Sequence, residues 1–222
     1  SSDYHVDEDS SSKGRTGWWY LSSFDWGGDV RIVSETGNSG RCIAGKRSGA
    51  VRPALPYSNI SDISPNGGRG RSGFLEVEYG EYPQFAPDDR TQRQLESDYQ
   101  SRRLRQTGRN YTFDSTPYNK PSQGFQAVTY EEYGYNGKKY IRVKANSDYC
   151  GRYFKLSNGK KYRDGDYVWV EVSPVKWLID DRTQTLVSKR GILAGIRFHT
   201  DSRSYNGDFS TTDMKEYLDK YM

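Results

Sequence analysis

Asp166-Tyr167-Val168-Trp169-Val170-Glu171-Val172, followed by Val175-Lys176-Trp177-Leu178-Ile179 and then Leu186-Val187-Ser188, is the stretch that decides the fold. β-Branched and aromatic residues dominate all three runs, a composition that suits a pleated, half-buried surface. Ser173-Pro174 separates the first two and Asp180-Asp181-Arg182-Thr183 the last two. Both separators are turn chemistry, so the spacing predicts three successive strands. They form the expected core, with Trp169 and Trp177 in its structural frame.

Outward from that core, Phe74-Leu75-Glu76-Val77-Glu78-Tyr79-Gly80 alternates as another strand. Thr91 to Gln106 reads as a helix, with Leu95 and Tyr99 at i, i+4 spacing and Gly108 as its stop. Tyr135-Asn136-Gly137-Lys138 and Leu156-Ser157-Asn158-Gly159-Lys160 each set Asn-Gly between strand-like flanks, a strong hairpin signal. Near the C-terminus, Ser210-Thr211-Thr212-Asp213 has the form of an acidic capping box. Met214, Tyr217, Leu218 and Tyr221 then make a helical stripe that reads as core packing. The expected class is α+β, mostly antiparallel β with a few helices.

Residues 1–16 are a polar leader rich in Ser and Asp. Gly17-Trp18-Trp19-Tyr20-Leu21-Ser22-Ser23 opens the ordered chain, and Val30-Arg31-Ile32-Val33 alternates as a half-buried strand. Thr36-Gly37-Asn38 is turn chemistry, and Ala50-Val51-Arg52 runs into Pro53, which suits a strand end or edge. Ser64-Pro65-Asn66-Gly67-Gly68-Arg69-Gly70-Arg71-Ser72-Gly73 is the clearest linker. The expected organisation is a leader (1–16), a first segment (17–63), the linker (64–73) and a β-rich domain ending in a helix (74–222).

The 222 residues suit one large or two small domains. With 33% hydrophobic residues and a mean hydropathy of -0.99, burial has to come from the 19 Tyr and 5 Trp. The net charge of +4 is spread: residues 1–73 hold 9 Lys and Arg against 8 Asp and Glu, leaving 24 against 21 beyond. That is a weak footprint for nucleic acid, and no specific nucleic-acid partner is expected. The one basic run, Arg102-Arg103-Leu104-Arg105, reads as a solvated helix end whose cations complement the helix dipole. No run reaches the ~18 to 20 apolar residues that span a bilayer, so membrane insertion is not expected. Cys42 and Cys150 have no CxxC partner; two buried thiols are the first reading and a disulfide is the alternative for an exported chain.

Catalytic constellations are scarce. His5 and His199 are the only histidines, too few for a multi-histidine metal site, and neither metal nor cofactor is expected. Asp180-Asp181 and Glu131-Glu132 are paired in sequence, but both read as solvated turn or surface residues rather than as glycosidase carboxylates. Asp164-Gly165-Asp166 lacks the spacing of a calcium loop and reads as a turn leading into a strand.

Three groups of residues carry a resemblance. Glu78-Tyr79-Gly80-Glu81-Tyr82-Pro83-Gln84, Pro174-Val175-Lys176-Trp177-Leu178 with Leu186-Val187-Ser188, and Gly207-Asp208-Phe209 leading into Tyr217-Leu218 resemble the amino-terminal half of a bacterial domain family of unknown function. That family is related to the formylglycine-generating-enzyme branch of C-type-lectin-like folds. Trp18-Trp19-Tyr20-Leu21-Ser22-Ser23 through Gly49-Ala50-Val51-Arg52-Pro53-Ala54-Leu55 resembles the carboxy-terminal half of the same kind of domain. Here that half comes first, which leaves two explanations: the chain is cut from a tandem array, the reading that Ser1 at the start favours, or the two halves complete each other within or between molecules. The branch's catalytic cysteine pair has no counterpart, because Cys42 and Cys150 lie outside matching motifs.

The resemblance implies a ligand-display scaffold like the retroelement-diversified variable proteins. Trp18, Trp19, Arg52 and Pro53 match its frame, along with Ser22, Ser23, Gly49 and Leu55. Tyr20, Phe24, Asp25, Trp26, Arg31, Asn38, Arg41 and Arg47 lie between as ligand-binding candidates. Phe24-Asp25-Trp26-Gly27-Gly28 is the turn best suited to binding, since aromatics beside glycines give rigid contact area. Arg52 reads as a structural ion pair. The expected function is a non-enzymatic binding module for a protein or glycan, part of a longer surface or secreted bacterial or phage-associated protein. A self-associating structural protein is the second reading and a carbohydrate hydrolase the third.

Overall fold

The computed structural model describes residues 19–25, 29–33, 39–43, 50–58, 68–69, 75–114, 127–145, 154–155, 157–163, 165–189, 192–194, 198–199 and 206–221. In chain order the elements are β1 (Trp19–Asp25), β2 (Asp29–Val33), β3 (Ser39–Ile43), β4 (Ala50–Val51), β5 (Ala54–Pro56), β6 (Gly68–Arg69), β7 (Leu75–Phe85) and α1 (Asp89–Gln100). They continue with β8 (Arg105–Asp114), β9 (Ala127–Tyr135), β10 (Lys138–Lys144), β11 (Phe154–Lys155), β12 (Lys161–Tyr162), β13 (Tyr167–Asp180), β14 (Thr185–Ser188) and β15 (Leu193–Ala194). A 3-10 turn (Phe209–Thr211) leads into α2 (Asp213–Tyr221). Every strand pairing among these residues is antiparallel except one bridge between Trp19 and Ala50, so the protein is mostly antiparallel β-sheet with two helices.

The two short runs expected on either side of Ser173-Pro174 are one strand, β13, of 14 residues. It pairs with β10 over Tyr167–Val172, with β14 over Trp177–Asp180, and with β7 over Glu171–Leu178. The β7 register overlaps both others, so β7 occupies one edge of β13, and β10 and β14 share the opposite edge end to end. Residues 173–176 fall in the gap between β10 and β14, and a proline is tolerated where a neighbouring strand is missing. Gln84 reinforces this point, its Nε2 donating to the carbonyls of Ser173 at 2.8 Å and Pro174 at 3.0 Å.

Alternation along the sheet sends side chains to two different cores. Val168, Val170 and Val172 join Ile141, Val143, Phe113 and Trp177 on one face, covered by Met214 and Tyr217 of α2. Trp169, Tyr133 and Tyr140 lie on the other face, covered by Leu95 of α1. The helical stripe at Met214 and Tyr217 is core, as its spacing predicts. The cap sits two residues later than expected: Thr212 Oγ1 accepts from the Lys215 amide at 3.1 Å.

The first segment is stitched to this body by backbone pairing. β4 lies between β15 and β1 in a sheet of order β15-β4-β1-β2-β3, and β5 pairs with β14. Arg52 grips the Ser188 carbonyl with Nε at 2.9 Å and Nη2 at 2.7 Å, while the Ser188 amide donates to the Pro53 carbonyl at 3.0 Å. Both frame residues at 52 and 53 thus hold the junction, Arg52 through a backbone carbonyl. Within the expected linker, Gly68–Arg69 forms β6 and pairs with Leu75 and Glu76.

Other local expectations shift for identifiable reasons. Asn136 (φ 48°) and Gly137 (φ 74°) make the expected two-residue turn between β9 and β10. Asn158-Gly159 instead sits in a longer loop between β11 and β12, because the Asn158 amide donates to the Pro87 carbonyl at 2.8 Å. The β7 strand runs five residues past Gly80 to Phe85, and Gly80 takes φ 68° inside it. Helix α1 ends at Gln100, not Gln106, and Gly108 lies within β8.

Candidate binding cleft

The end of α1 shapes the site. Asp88 caps its start, accepting from the Thr91 amide at 2.7 Å. At the other end the Arg102 amide donates to Tyr99 O at 2.9 Å and the Arg103 amide to Asp98 O at 2.8 Å. This pair of bonds closes a helix around a residue in the left-handed region, usually glycine. Here that residue is Arg102, at φ 55°. The chain reverses and enters β8 at Arg105, leaving a cleft of about 730 Å³. Tyr99, Gln100 and Arg102 line it from the helix side, Leu104, Arg105 and Gln106 from the strand side, and Tyr133 from β9.

Its base is rigid. Tyr99, Tyr133 and Trp169 meet edge to face, with ring centroids 5.6–5.7 Å apart. Each such contact contributes about 0.5–1.5 kcal/mol beyond area burial. Gln92 binds both backbone groups of Trp169, donating to its carbonyl at 2.7 Å and accepting from its amide at 2.8 Å. Glu96 forms a bidentate pair with Arg142, both contacts at 2.8 Å, and also accepts from Trp169 Nε1 at 3.1 Å and Gln100 Nε2 at 2.9 Å. The Arg142 guanidinium holds the Glu96 carboxyl down at about 2. Arg142 in turn lies 3.7 Å from the Tyr167 ring centroid and 4.9 Å from that of Tyr99.

The strand wall is set by a bulge. Between the pairs Gln106↔Tyr133 and Asn110↔Glu131, β8 advances four residues while β9 advances two. Gly108, at φ 88°, lies at its centre. On the cleft side, Gln106 Nε2 (2.6 Å) and Tyr133 Oη (2.7 Å) both donate to Glu131 Oε2. Burial and the bond to Glu131 push the Tyr133 phenol upward. On the opposite face, Thr107 Oγ1 (2.6 Å) and Tyr111 Oη (2.9 Å) donate to Glu132, which is fully buried. Glu131 and Glu132 are therefore not a solvated pair: the alternation of β9 puts one at the cleft and the other in the core. Burial first, then the bond to Glu132, raises the Tyr111 phenol.

Charge around the cleft is unevenly committed. Arg103 faces Asp98 at 3.9 Å, Arg109 faces Glu81 at 3.1 Å and Lys138 faces Glu171 at 2.9 Å. Arg102 and Arg105 are exposed and make no ion pair among the described residues.

The sequence candidates lie elsewhere. Tyr20, Phe24 and Asp25 belong to β1, with backbones opposite Ile32, Val30 and Asp29; Phe24 and Asp25 end a strand rather than lying in the turn. Arg31 and Arg41 are direct cross-strand partners of β2 and β3, both exposed. Trp19 starts β1, whereas Trp18, Trp26, Asn38, Arg47, His5 and Cys150 lie outside the described residues. Trp169 and Trp177 are buried, Trp177 Nε1 donating to Tyr79 O at 2.8 Å. Asp180 serves its turn, accepting from Thr183 Oγ1 at 2.8 Å, and Asp181 accepts from Tyr57 Oη at 2.8 Å. Asp166 closes the turn at Gly165 by accepting from the Arg163 amide at 2.8 Å. No cluster of metal-ligating side chains occurs among the described residues, and no described helix is long and apolar enough to cross a membrane.

The basic run 102–105 supplies three of the cleft residues, and in the sequence helix-end chemistry accounts for it locally. The useful signal was the short interval between the i, i+4 pair Leu95/Tyr99 and that run, which leaves three cations beside a turn. No family model, curated protein or solved structure matches the chain.

Proposed function

We propose that the protein is a non-enzymatic binding module for a protein or glycan ligand, carried on a C-type-lectin-like scaffold within a longer surface or secreted protein. One observation carries the reading: a preformed cleft of about 730 Å³ with fixed aromatic and amide groups and two exposed arginines. Such a volume is within the range of ligand sites, about 300–1,000 Å³. The lining side chains described are Tyr, Gln, Arg and Leu, which offer hydrogen-bonding, cationic and aromatic contacts to a ligand. Glu131, the carboxylate beside them, is occupied by two donors on one oxygen.

The scaffold part of the proposal rests on the resemblance, supported by the way β4 and β5 of the first segment pair with β15 and β14 of the second. This pairing lies within one chain, which favours self-completion over completion between subunits. Glycan and protein array screening with the purified chain tests the function. Binding without turnover, lost on Arg105→Ala, supports it. Hydrolysis of a glycan substrate that disappears with Glu131→Gln, Asp180→Asn or Asp181→Asn overturns it.

A further inference from the structure

We infer that the cleft between the α1 cap and β8 takes an anionic oligosaccharide and holds it by a carboxylate; this rests on the binding-module reading and specifies its ligand. Arg102 and Arg105 stand three positions apart around the turn, exposed and without a carboxylate partner among the described residues. Nearby Arg103, Arg109, Lys138 and Arg142 each have one. Guanidinium groups match planar carboxylates through paired N–H donors. Arg102 is moreover held at φ 55°, a conformation a non-glycine residue adopts at a cost.

The remaining lining suits hydroxyl groups. Gln100 and Gln106 have their Nε2 groups committed to Glu96 and Glu131, which orients both amides and leaves their carbonyl oxygens as acceptors. Half-buried Tyr99 supplies aromatic surface, held edge to face by buried Tyr133 and Trp169. Among the described residues Leu104 is the sole aliphatic one lining the cleft, which does not make the apolar groove that takes an amphipathic helix. The bulge at Gly108 interrupts the strand edge a β-adding peptide would need. A nucleic acid calls for a track of cations along successive phosphates. Here Arg102 and Arg105 are the cations lining the cleft among the described residues, a pair suited to a single anionic group rather than to successive phosphates.

The test is calorimetric titration of the full chain with trigalacturonate, its methyl ester, a glutamate hexapeptide and a short oligothymidylate. The acid is expected to bind about tenfold or more tightly than the ester, a ratio worth about 1.4 kcal/mol. Its affinity should fall with salt. The double variant Arg102→Gln/Arg105→Gln should erase the preference for the acid without lowering the melting temperature, and Arg90→Gln, on the exposed first turn of α1, should leave it unchanged. Equal binding of acid and ester overturns the carboxylate assignment and leaves the binding-module reading standing. Preference for the peptide or the oligothymidylate overturns the saccharide assignment in favour of that class. Silence from all four probes also overturns it, and the array screen then judges the wider reading separately.

Discussion

β9 has two edges, and they are built differently. Against β10 it runs in unbroken register from Tyr135↔Lys138 to Glu132↔Ile141, closed by the tight Asn136-Gly137 turn. Against β8 the register slips between Gln106 and Asn110. The regular edge does one thing well: it deals side chains alternately to the two cores. The bulged edge keeps the alternation but adds two residues to β8, so that Thr107 and Tyr111 both reach buried Glu132 while Gln106 stays beside Tyr133 and Glu131 on the cleft side. The proposed recognition lies on the second edge, and there buried Glu132 bonds the Thr107 and Tyr111 hydroxyls of β8 to β9.

The largest effect should come from breaking that fixing point. Glu132→Ala strands the buried Tyr111 hydroxyl, removes the acceptor of the Thr107 hydroxyl and leaves a cavity in the core, and should cost about 3 kcal/mol in urea unfolding. Glu132→Gln, which keeps an acceptor, should cost clearly less. A smaller pair of changes separates the two edges directly. Gly108 and Gly137 both have positive φ and nothing within 4 Å of an added Cβ, so alanine at either meets only backbone strain. Each should lose about 1–2 kcal/mol, but only Gly108→Ala should also weaken ligand binding.

The pH dependence of the cleft base is expected to be milder still. Glu96 in the folded chain sits at about 2, below an ordinary carboxyl, so its contribution is present above pH ~4.3 and lost as pH falls towards 2. Glu96 is partly exposed, and solvent screening should hold the loss to about 1 kcal/mol. The wild type should lose more of its urea midpoint across that window than Glu96→Gln does. The smallest change is a gain: Arg102→Gly relieves the left-handed strain, offset by glycine's greater freedom when unfolded, for a net of roughly 0.5 kcal/mol. Binding of trigalacturonate should weaken in the same variant.

What could be read from the sequence is what local chemistry controls. Asn136-Gly137 prescribes a turn by backbone conformation alone, and the Met214/Tyr217 stripe needs only a helix and a core to meet. Strand alternation likewise placed Trp169 and Trp177 in the interior. The end of α1 escaped because the residue that closes it is Arg102 rather than the expected glycine, while Gly108 uses its conformational freedom for a bulge. The single long β13 escaped because Pro174 breaks a strand unless a gap between neighbours receives it, and that gap is created by β10 and β14 from distant sequence. Glu132 beside Glu131 looked like surface charge, and only the pairing of β9 with β8 brings Thr107 and Tyr111 to it.

Amide hydrogen exchange of the wild-type chain with and without saturating trigalacturonate tests most directly whether the bulged edge is the binding edge. Added protection is expected at residues 99–107 and 131–134, with β10 and the Asn136-Gly137 turn unchanged. Protection confined to β2 and β3 around Arg31 and Arg41, with residues 99–107 unaffected, would contradict it and return recognition to the first segment.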